Sequence, residues 1–219
     1  MLADLGGQPL VVRTWARACE AGFERVVVAT DAPEIAAAVR AAGGEVVLTG
    51  PCDNGTARVA EAWVALEAAG ARADVVLNVQ ADEPLVEPSS LRAVADAVGD
   101  HDVATGASPL ADPADPARVK VVIGESRRAL YFSRAAVPSG GPYWQHLGVY
   151  AFRPGALVRA AALPPHPLEL SERLEQLRWL AHGLRVAVVS LPPAEGGVDT
   201  PEDLQRVRAR FVAAPGKGG

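Results

Sequence analysis

No apolar run in this sequence approaches the roughly 20 residues needed to span a bilayer, which excludes a membrane-crossing helix. The opening MLADLGGQPL has neither the charged start nor the apolar core of a signal peptide. Cysteine is scarce: Cys19 and Cys52 are the only two, and their spacing suits neither a metal site nor a disulfide framework. Ordinary buried thiols in a reducing cytoplasm are the expectation. Basic blocks are missing as well. Lys and Arg number 21 against 26 Asp and Glu, a net charge of −5, so a nucleic-acid phosphate backbone is not an expected partner. There is no internal repeat and no low-complexity linker, and the Gly-rich end APGKGG (214–219) reads as a frayed tail. These absences predict a soluble, cytoplasmic protein that engages neither nucleic acid nor membrane.

What is present is an alternation. The 219 residues, 49% of them hydrophobic, suffice for one domain with a sizeable core. RVVVAT (25–30), EVVLT (45–49) and DVVLNV (74–79) read as strands, each followed by an Ala-rich helical pattern. Strands that are apolar throughout imply a sheet covered on both faces. Right-handed crossovers then give an α/β fold with a doubly wound, mostly parallel sheet of the Rossmann type. After Val103 the pattern changes. VATGASPL (103–110), VKVVI (119–123), ALYFSR (129–134) and HLGVYAFR (146–153) are strand-like without regular helices between them, which predicts an antiparallel elaboration. PLELSERLEQLRWLAHG (167–183) reads as one helical stretch, RVAVVSL (185–191) as a strand and TPEDLQRVRARFV (200–212) as the last helix.

The segment NVQADEP (78–84) follows the third strand. Carboxylates are costly in a core and proline cannot continue a central strand, so Asp82 and Glu83 belong at the strand's mouth. In open α/β sheets that is where ligands bind. Two readings stay open there. A hard divalent cation such as Mg²⁺ takes one or two carboxylates plus substrate phosphates; alternatively, the acids turn the chain and cap the helix that starts near Ser89. GGVDTPEDL (196–204) adds a second acidic loop after the last strand. Helix capping accounts for Thr200, Pro201, Glu202 and Asp203 and leaves Asp199 to point elsewhere. Two aspartates on loops from different strands suit metal-assisted phosphoryl or nucleotidyl transfer.

NVQADEP, GTAR, ALYFSRAAVP, HLGVYAFR, PLELSERLEQLR and GVDTPEDLQRVR, in this order, resemble the 3-deoxy-D-manno-octulosonate (Kdo) cytidylyltransferases, the CMP-Kdo synthetases, over residues 2–210. DTPEDL alone recurs across sugar nucleotidyltransferases; the combination is far more specific. The resemblance implies transfer of CMP from CTP to the anomeric hydroxyl of Kdo, with release of pyrophosphate, for lipopolysaccharide biosynthesis. It also implies a Mg²⁺-dependent, cytoplasmic homodimer. By the family pattern Asp82 and Asp199 are the catalytic metal ligands. Gly55, Thr56 and Arg58 face the nucleotide, with Asn78 and Gln80 at the neighbouring strand end. Arg134 meets the sugar carboxylate, and His146, Tyr150, Glu175 and Gln176 serve the sugar. Lys120 is a weaker candidate for a phosphate or substrate contact, and Trp63, Trp144 and Trp179 are assigned to packing. Residues 1–100 would form the nucleotide-binding half of a single nucleotidyltransferase domain, and 101–219 the sugar-binding half with a dimerisation elaboration. Taken singly, His146 reads equally as a core histidine, Tyr150 as a packing aromatic and Glu175 as part of a solvated helix face.

The chain departs from the family in three places. Ala81 stands where the pattern has glycine, which is tolerable if the backbone keeps a negative φ. Asp53, Asn54 and Ala57 differ from the base-recognition loop. The family's opening strand and basic, glycine-containing triphosphate loop lie before the part that MLADLGGQPL matches, and a parallel sheet without that strand would expose two strand edges and a strip of apolar core. Two other functions therefore stay in view: a different sugar nucleotidyltransferase, and a sugar-nucleotide-binding module with weak catalysis.

Overall fold

A computed structural model of the chain describes residues 1–193, 197–198 and 200–213. In its first half, β-branched runs become short strands and the Ala-rich segments between them become helices. Helix α1 (Leu10–Glu20) precedes β1 (Val27–Thr30), α2 (Pro33–Ala41), β2 (Glu45–Leu48), α3 (Gly55–Ala68), β3 (Val76–Asn78) and α4 (Pro88–Asp96). Both α2 and α4 open on proline, whose fixed φ suits a first helical turn and whose missing N–H costs nothing there. The second half runs β4 (Val103–Leu110), β5 (Lys120–Ile123), β6 (Ala129–Ser133), β7 (Tyr143–Phe152), α5 (Pro154–Ala162), α6 (Pro167–Glu172), α7 (Gln176–Ala181), β8 (Val186–Ser190) and α8 (Pro201–Ala213).

Strand β7 is the hub of the sheet. It pairs antiparallel with β3, β4 and β5, and β8 adds in parallel beyond β4. β3, β4, β5 and β8 therefore all point one way, while β7 and β6 run against them. This is the α/β sheet with an antiparallel elaboration that the pattern predicts. Alternation along β7 divides the core between two faces. Tyr150 and Phe152 pack with Trp179, Leu157 and Leu177 on one side. Val149 and Ala151 pack with Leu91, Val94 and Val98 on the other. The larger cluster is aromatic, with Trp179 edge-on to Tyr150 at 5.0 Å and to Phe152 at 5.3 Å between ring centroids.

β1 pairs with β2, in parallel register from Val27↔Glu45 to Thr30↔Leu48, as a separate two-stranded sheet. Its other edge and the free edge of β3 both line one large cavity of about 1820 Å³. Residues that a continuous sheet would bury, Val27, Val28, Val76 and Leu77, are consequently only half-buried. Helix α3 packs on both β1 and β3 and spans the opening.

Three local readings need correction. The stretch 167–183 is two helices, because Arg173 takes a left-handed conformation (φ 55°) that ends α6. The break turns Glu172 onto the end of β6, where its carboxylate accepts from Ser133 Oγ (2.7 Å) and the Arg134 N–H (2.9 Å). Helix α5 occupies residues 154–162, a stretch after the four strands to which no element was assigned. Its Pro154 start follows directly on β7, and Ala156, Leu157 and Ala160 give only a short apolar stripe. The thiols are not buried: Cys19 is exposed on α1 and Cys52 half-buried beside Glu61, with Sγ–Oε2 3.3 Å. The tail at 214–219 lies outside the described residues.

Phe152 is fully buried where the hub strand meets the aromatic cluster. Phe152→Ala should cost about 3–5 kcal/mol. The exposed Leu170→Ala should stay within about 0.5 kcal/mol of the parent. Urea midpoints of the two variants check this.

Candidate functional site

The cavity is lined by Gly55, Thr56 and Arg58 from the start of α3, by Asn78, Gln80 and Asp82 from the mouth of β3, and by Arg134, His146, Tyr150, Glu175 and Gln176 from the second half. It thus gathers the site residues expected from the sequence except Lys120, which does not line it, and Asp199, which lies outside the described residues.

On the α3 side, Asn54 is the helix cap, its side chain accepting from the Ala57 N–H at 2.8 Å. The cap leaves the first N–H groups of the helix directed out of its end. Arg58 sits one turn further in, and its guanidinium donates to Thr49 Oγ1 (2.6 Å) and pairs with Asp31 (3.1 Å). It braces the ends of β1 and β2 against α3. The Arg58 guanidinium in turn holds the Asp31 carboxyl below its ordinary range. Thr56 donates its hydroxyl to Glu175 Oε2 at 2.9 Å, across the cavity from its own helix.

At the mouth of β3 the acidic loop is a turn, with the Glu83 N–H on Gln80 O at 3.2 Å. Helix α4 has Glu87 as its cap residue and no side-chain cap, so Asp82 and Glu83 do not serve it. Ala81 keeps a negative φ, since Arg127 and Arg173 alone among described non-glycine residues are positive. Its carbonyl accepts from Thr14 Oγ1 at 2.8 Å. The second acidic segment docks here: the Val198 N–H donates to the Asp82 carbonyl at 2.9 Å. Gly197 permits this approach, because a Cβ on it would lie 3.0 Å from Asp82 O and 3.1 Å from Glu83 Oε1. Thr200 caps α8 in a reciprocal arrangement with Asp203, as its position suggests: Oγ1 accepts the Asp203 N–H, and Asp203 Oδ2 accepts the Thr200 N–H, both at 3.1 Å.

Of the two aspartates expected to hold a cation, Asp82 is the one described, and its carboxylate is a hard oxygen donor. Asp82 turns one carboxylate oxygen, Oδ1, away from solvent at the strand mouth, and the chain one residue before Asp199 is bonded to the Asp82 backbone. Among the described residues no three His, Cys, Asp or Glu side chains gather into a closed cage. A Mg²⁺ held by one or two carboxylates, phosphates and water needs none.

The opposite wall is held by ties that the sequence did not disclose. His146 Nε2 lies 3.0 Å from Thr105 Oγ1, whose hydroxyl also reaches Val149 O at 2.8 Å. The same hydroxyl lies 3.1 Å from Leu147 O, so Thr105 ties the imidazole to the backbone of β7. The His146 ring stacks edge-on to Phe132 and beside Tyr150, with centroids 5.0 and 5.4 Å apart. Here β7 bulges between its pairings of Leu147 and Tyr150. Gly148 in the bulge makes room for Gln80, whose Nε2 would meet a Cβ at 3.2 Å. Arg134 is fixed from several sides: Nε donates to Glu172 O (3.1 Å), Nη1 to Pro116 O (3.2 Å), and its carbonyl accepts from Lys120 Nζ (2.6 Å). Lys120 is completely buried, with its ammonium spent on this carbonyl and that of Asp115 (3.0 Å). It positions Arg134 and does not line the cavity. Trp63 and Trp179 are buried and Trp144 half-buried against the same core, as packing residues should be. Thr105, Glu172, Gly148 and Gly197 all lie inside segments read from the sequence, but nothing local singled them out as site residues.

A family model described as cytidylyltransferase matches residues 1–186. A 3-deoxy-manno-octulosonate cytidylyltransferase of Azorhizobium caulinodans is 49% identical to this chain, the match covering 97% of the chain and 89% of that protein. One from Methylobacterium radiotolerans is 46% identical over 95% of this chain and 88% of its own length. A solved structure of CMP:2-keto-3-deoxy-manno-octonic acid synthetase complexed with CTP superposes with a TM-score of 0.90 at 34% identity, covering 97% of this chain and 91% of that one.

Burial presses the His146 imidazole from 6.5 down to about 3. The unfolded chain therefore takes up this proton first as pH falls. The neutral ring costs nothing above about 6.5, and below it stability declines by up to about 1.4 kcal/mol per pH unit toward pH 3. His146→Gln should flatten this part of the acid limb, which urea midpoints between about pH 7 and pH 4 would show.

Proposed function

Because the chain belongs to the family of 3-deoxy-manno-octulosonate cytidylyltransferases, we propose that it transfers CMP from CTP to the anomeric hydroxyl of Kdo and releases pyrophosphate. The observation that carries this reading is the single cavity in which the start of α3, the mouth of β3 and the polar wall of the second half face one another. Residues 1–100 supply the nucleotide side and 101–219 the sugar side. The product is an activated acidic sugar for lipopolysaccharide biosynthesis, made in the cytoplasm. A homodimer, with a dimerisation elaboration in the second half, is part of this proposal.

The reaction is an in-line attack of the sugar hydroxyl on the α-phosphate, and the protein contributes chiefly position and charge. Asp82 and Asp199 would hold Mg²⁺, which when bound neutralises the triphosphate and lowers the pKa of the attacking hydroxyl. Gly55 and Asn78, whose Cβ position and Nδ2 lie 3.8 Å apart, present backbone and amide groups to the nucleotide. Arg134 makes no described hydrogen bond through Nη2, which leaves that group for a carboxylate. His146 is held neutral by burial and therefore meets the sugar as a hydrogen-bonding group, not as a cation. Tyr150 is held protonated by burial and by the nearby Glu175, so its hydroxyl remains a donor.

Mg²⁺-dependent pyrophosphate release from CTP plus Kdo tests the assignment, and its dependence on Kdo is the decisive feature. Asp82→Asn should lower turnover by about 10²-fold or more at an unchanged thermal midpoint; near-normal turnover would overturn the assignment. Gly197→Ala, which pushes the second acidic segment off Asp82, should cost about 10²-fold in kcat.

A further inference from the structure

We propose that Thr56 is a positioning residue for the sugar rather than a nucleotide contact: its hydroxyl holds one oxygen of Glu175 so that the other is presented to a sugar hydroxyl. The inference rests on the function proposed above and refines the role expected of Thr56. Its side chain is buried, with the residue 2% exposed, and its Oγ1–H is committed to Glu175 Oε2 at 2.9 Å. Thr56 thereby ties the first turn of α3 to the residue that opens α7.

The other carboxylate oxygen, Glu175 Oε1, is shielded from solvent and accepts no hydrogen bond among the described residues. The Arg178 charge offsets part of this burial but its described hydrogen bonds go elsewhere. Arg178 is spent on Glu169 through two bonds of 2.6 Å, from Nε and Nη2, and donates its Nη1 to Leu163 O. A carboxylate has acceptor capacity for several donors, and a shielded oxygen without one is costly. Glu175 also lines the cavity. A ligand group that satisfies Oε1 must bring a hydrogen. The hydroxyls of a sugar acid qualify, whereas its carboxylate and the phosphates of a nucleotide would be repelled.

Burial raises the Glu175 pKa, consistent with an acceptor kept short of donors. The Thr56 hydroxyl fixes which oxygen stays open and the rotamer that presents it. Since Asn54 and Arg58 set the start of α3 on the nucleotide side, Thr56 also links the two halves of the site mechanically.

Steady-state kinetics of pyrophosphate release, varying Kdo and CTP separately, test this. Thr56→Val keeps the shape and removes the hydroxyl. It should raise KM for Kdo by about 10-fold or more, the worth of a hydrogen bond to a charged group, with KM for CTP within about twofold. Thr56→Ser, which restores the donor, should return the KM for Kdo to within about threefold of the parent. If Thr56→Val fails to fold, Thr56→Ser beside Thr56→Ala, each checked by thermal midpoint, carries the same comparison. A rise in KM for CTP alone, no change in either KM, or serine as impaired as the variant without a hydroxyl overturns the role of Thr56 while leaving the proposed function standing. A parent chain that releases no pyrophosphate in a Kdo-dependent way overturns the proposed function and this inference with it.

Discussion

The structure depends on the pairing of one antiparallel strand with three neighbours. β7 receives β3 along residues 150–152, β4 along its whole length and β5 near its start. Through β3 it carries the acidic loop of the first half. Its own side chains His146 and Tyr150 form the wall of the second. A strand that turns against its parallel neighbours can do this because side chains alternate between faces while hydrogen bonds run to both edges.

Around that hub the site is held by polar ties between side chains and backbone from separate elements. Arg58 braces two strand ends, Thr105 holds His146, and Glu172 with Lys120 holds the backbone and guanidinium of Arg134. Thr105 and Lys120 are polar groups satisfied away from water, where leaving them unpaired would be costly, and the others are part-buried. The consequence is a wall whose groups are already oriented, so little ordering remains for a ligand to impose. On the β1 side the arrangement is looser. The β1–β2 pair stands apart from the larger sheet, and the cavity between the edges of β1 and β3 keeps their apolar residues half-buried.

The α/β character and the change of pattern after Val103 were legible because runs of Val, Ile and Leu bounded by Gly, Pro and Ala-rich periodic stretches report local burial directly. The acids at the mouth of β3 were legible for the same reason: a carboxylate cannot sit inside the core that the preceding run predicts. Position 172 read as ordinary helix, since nothing local announces that Arg173 turns left-handed and swings Glu172 onto Ser133. Lys120 read as a weaker candidate for a phosphate or substrate contact. Its burial follows from the meeting of β5 with the loops at Asp115 and Arg134, which are far apart in local pattern. The two thiols were expected inside and lie at or near the surface, because a lone cysteine carries no periodic signal of its own.

The sequence by itself determined the alternation of strands and helices, the family, and the residue types able to do the chemistry, since these depend on local periodicity and on motifs of contiguous residues. Only the tertiary structure decided which of those residues meet. Thr56 reaches Glu175 across 119 positions, and the Val198 N–H reaches Asp82 across a comparable span. Such pairs are set by how the faces of a folded sheet come together, and no local pattern in the chain encodes them.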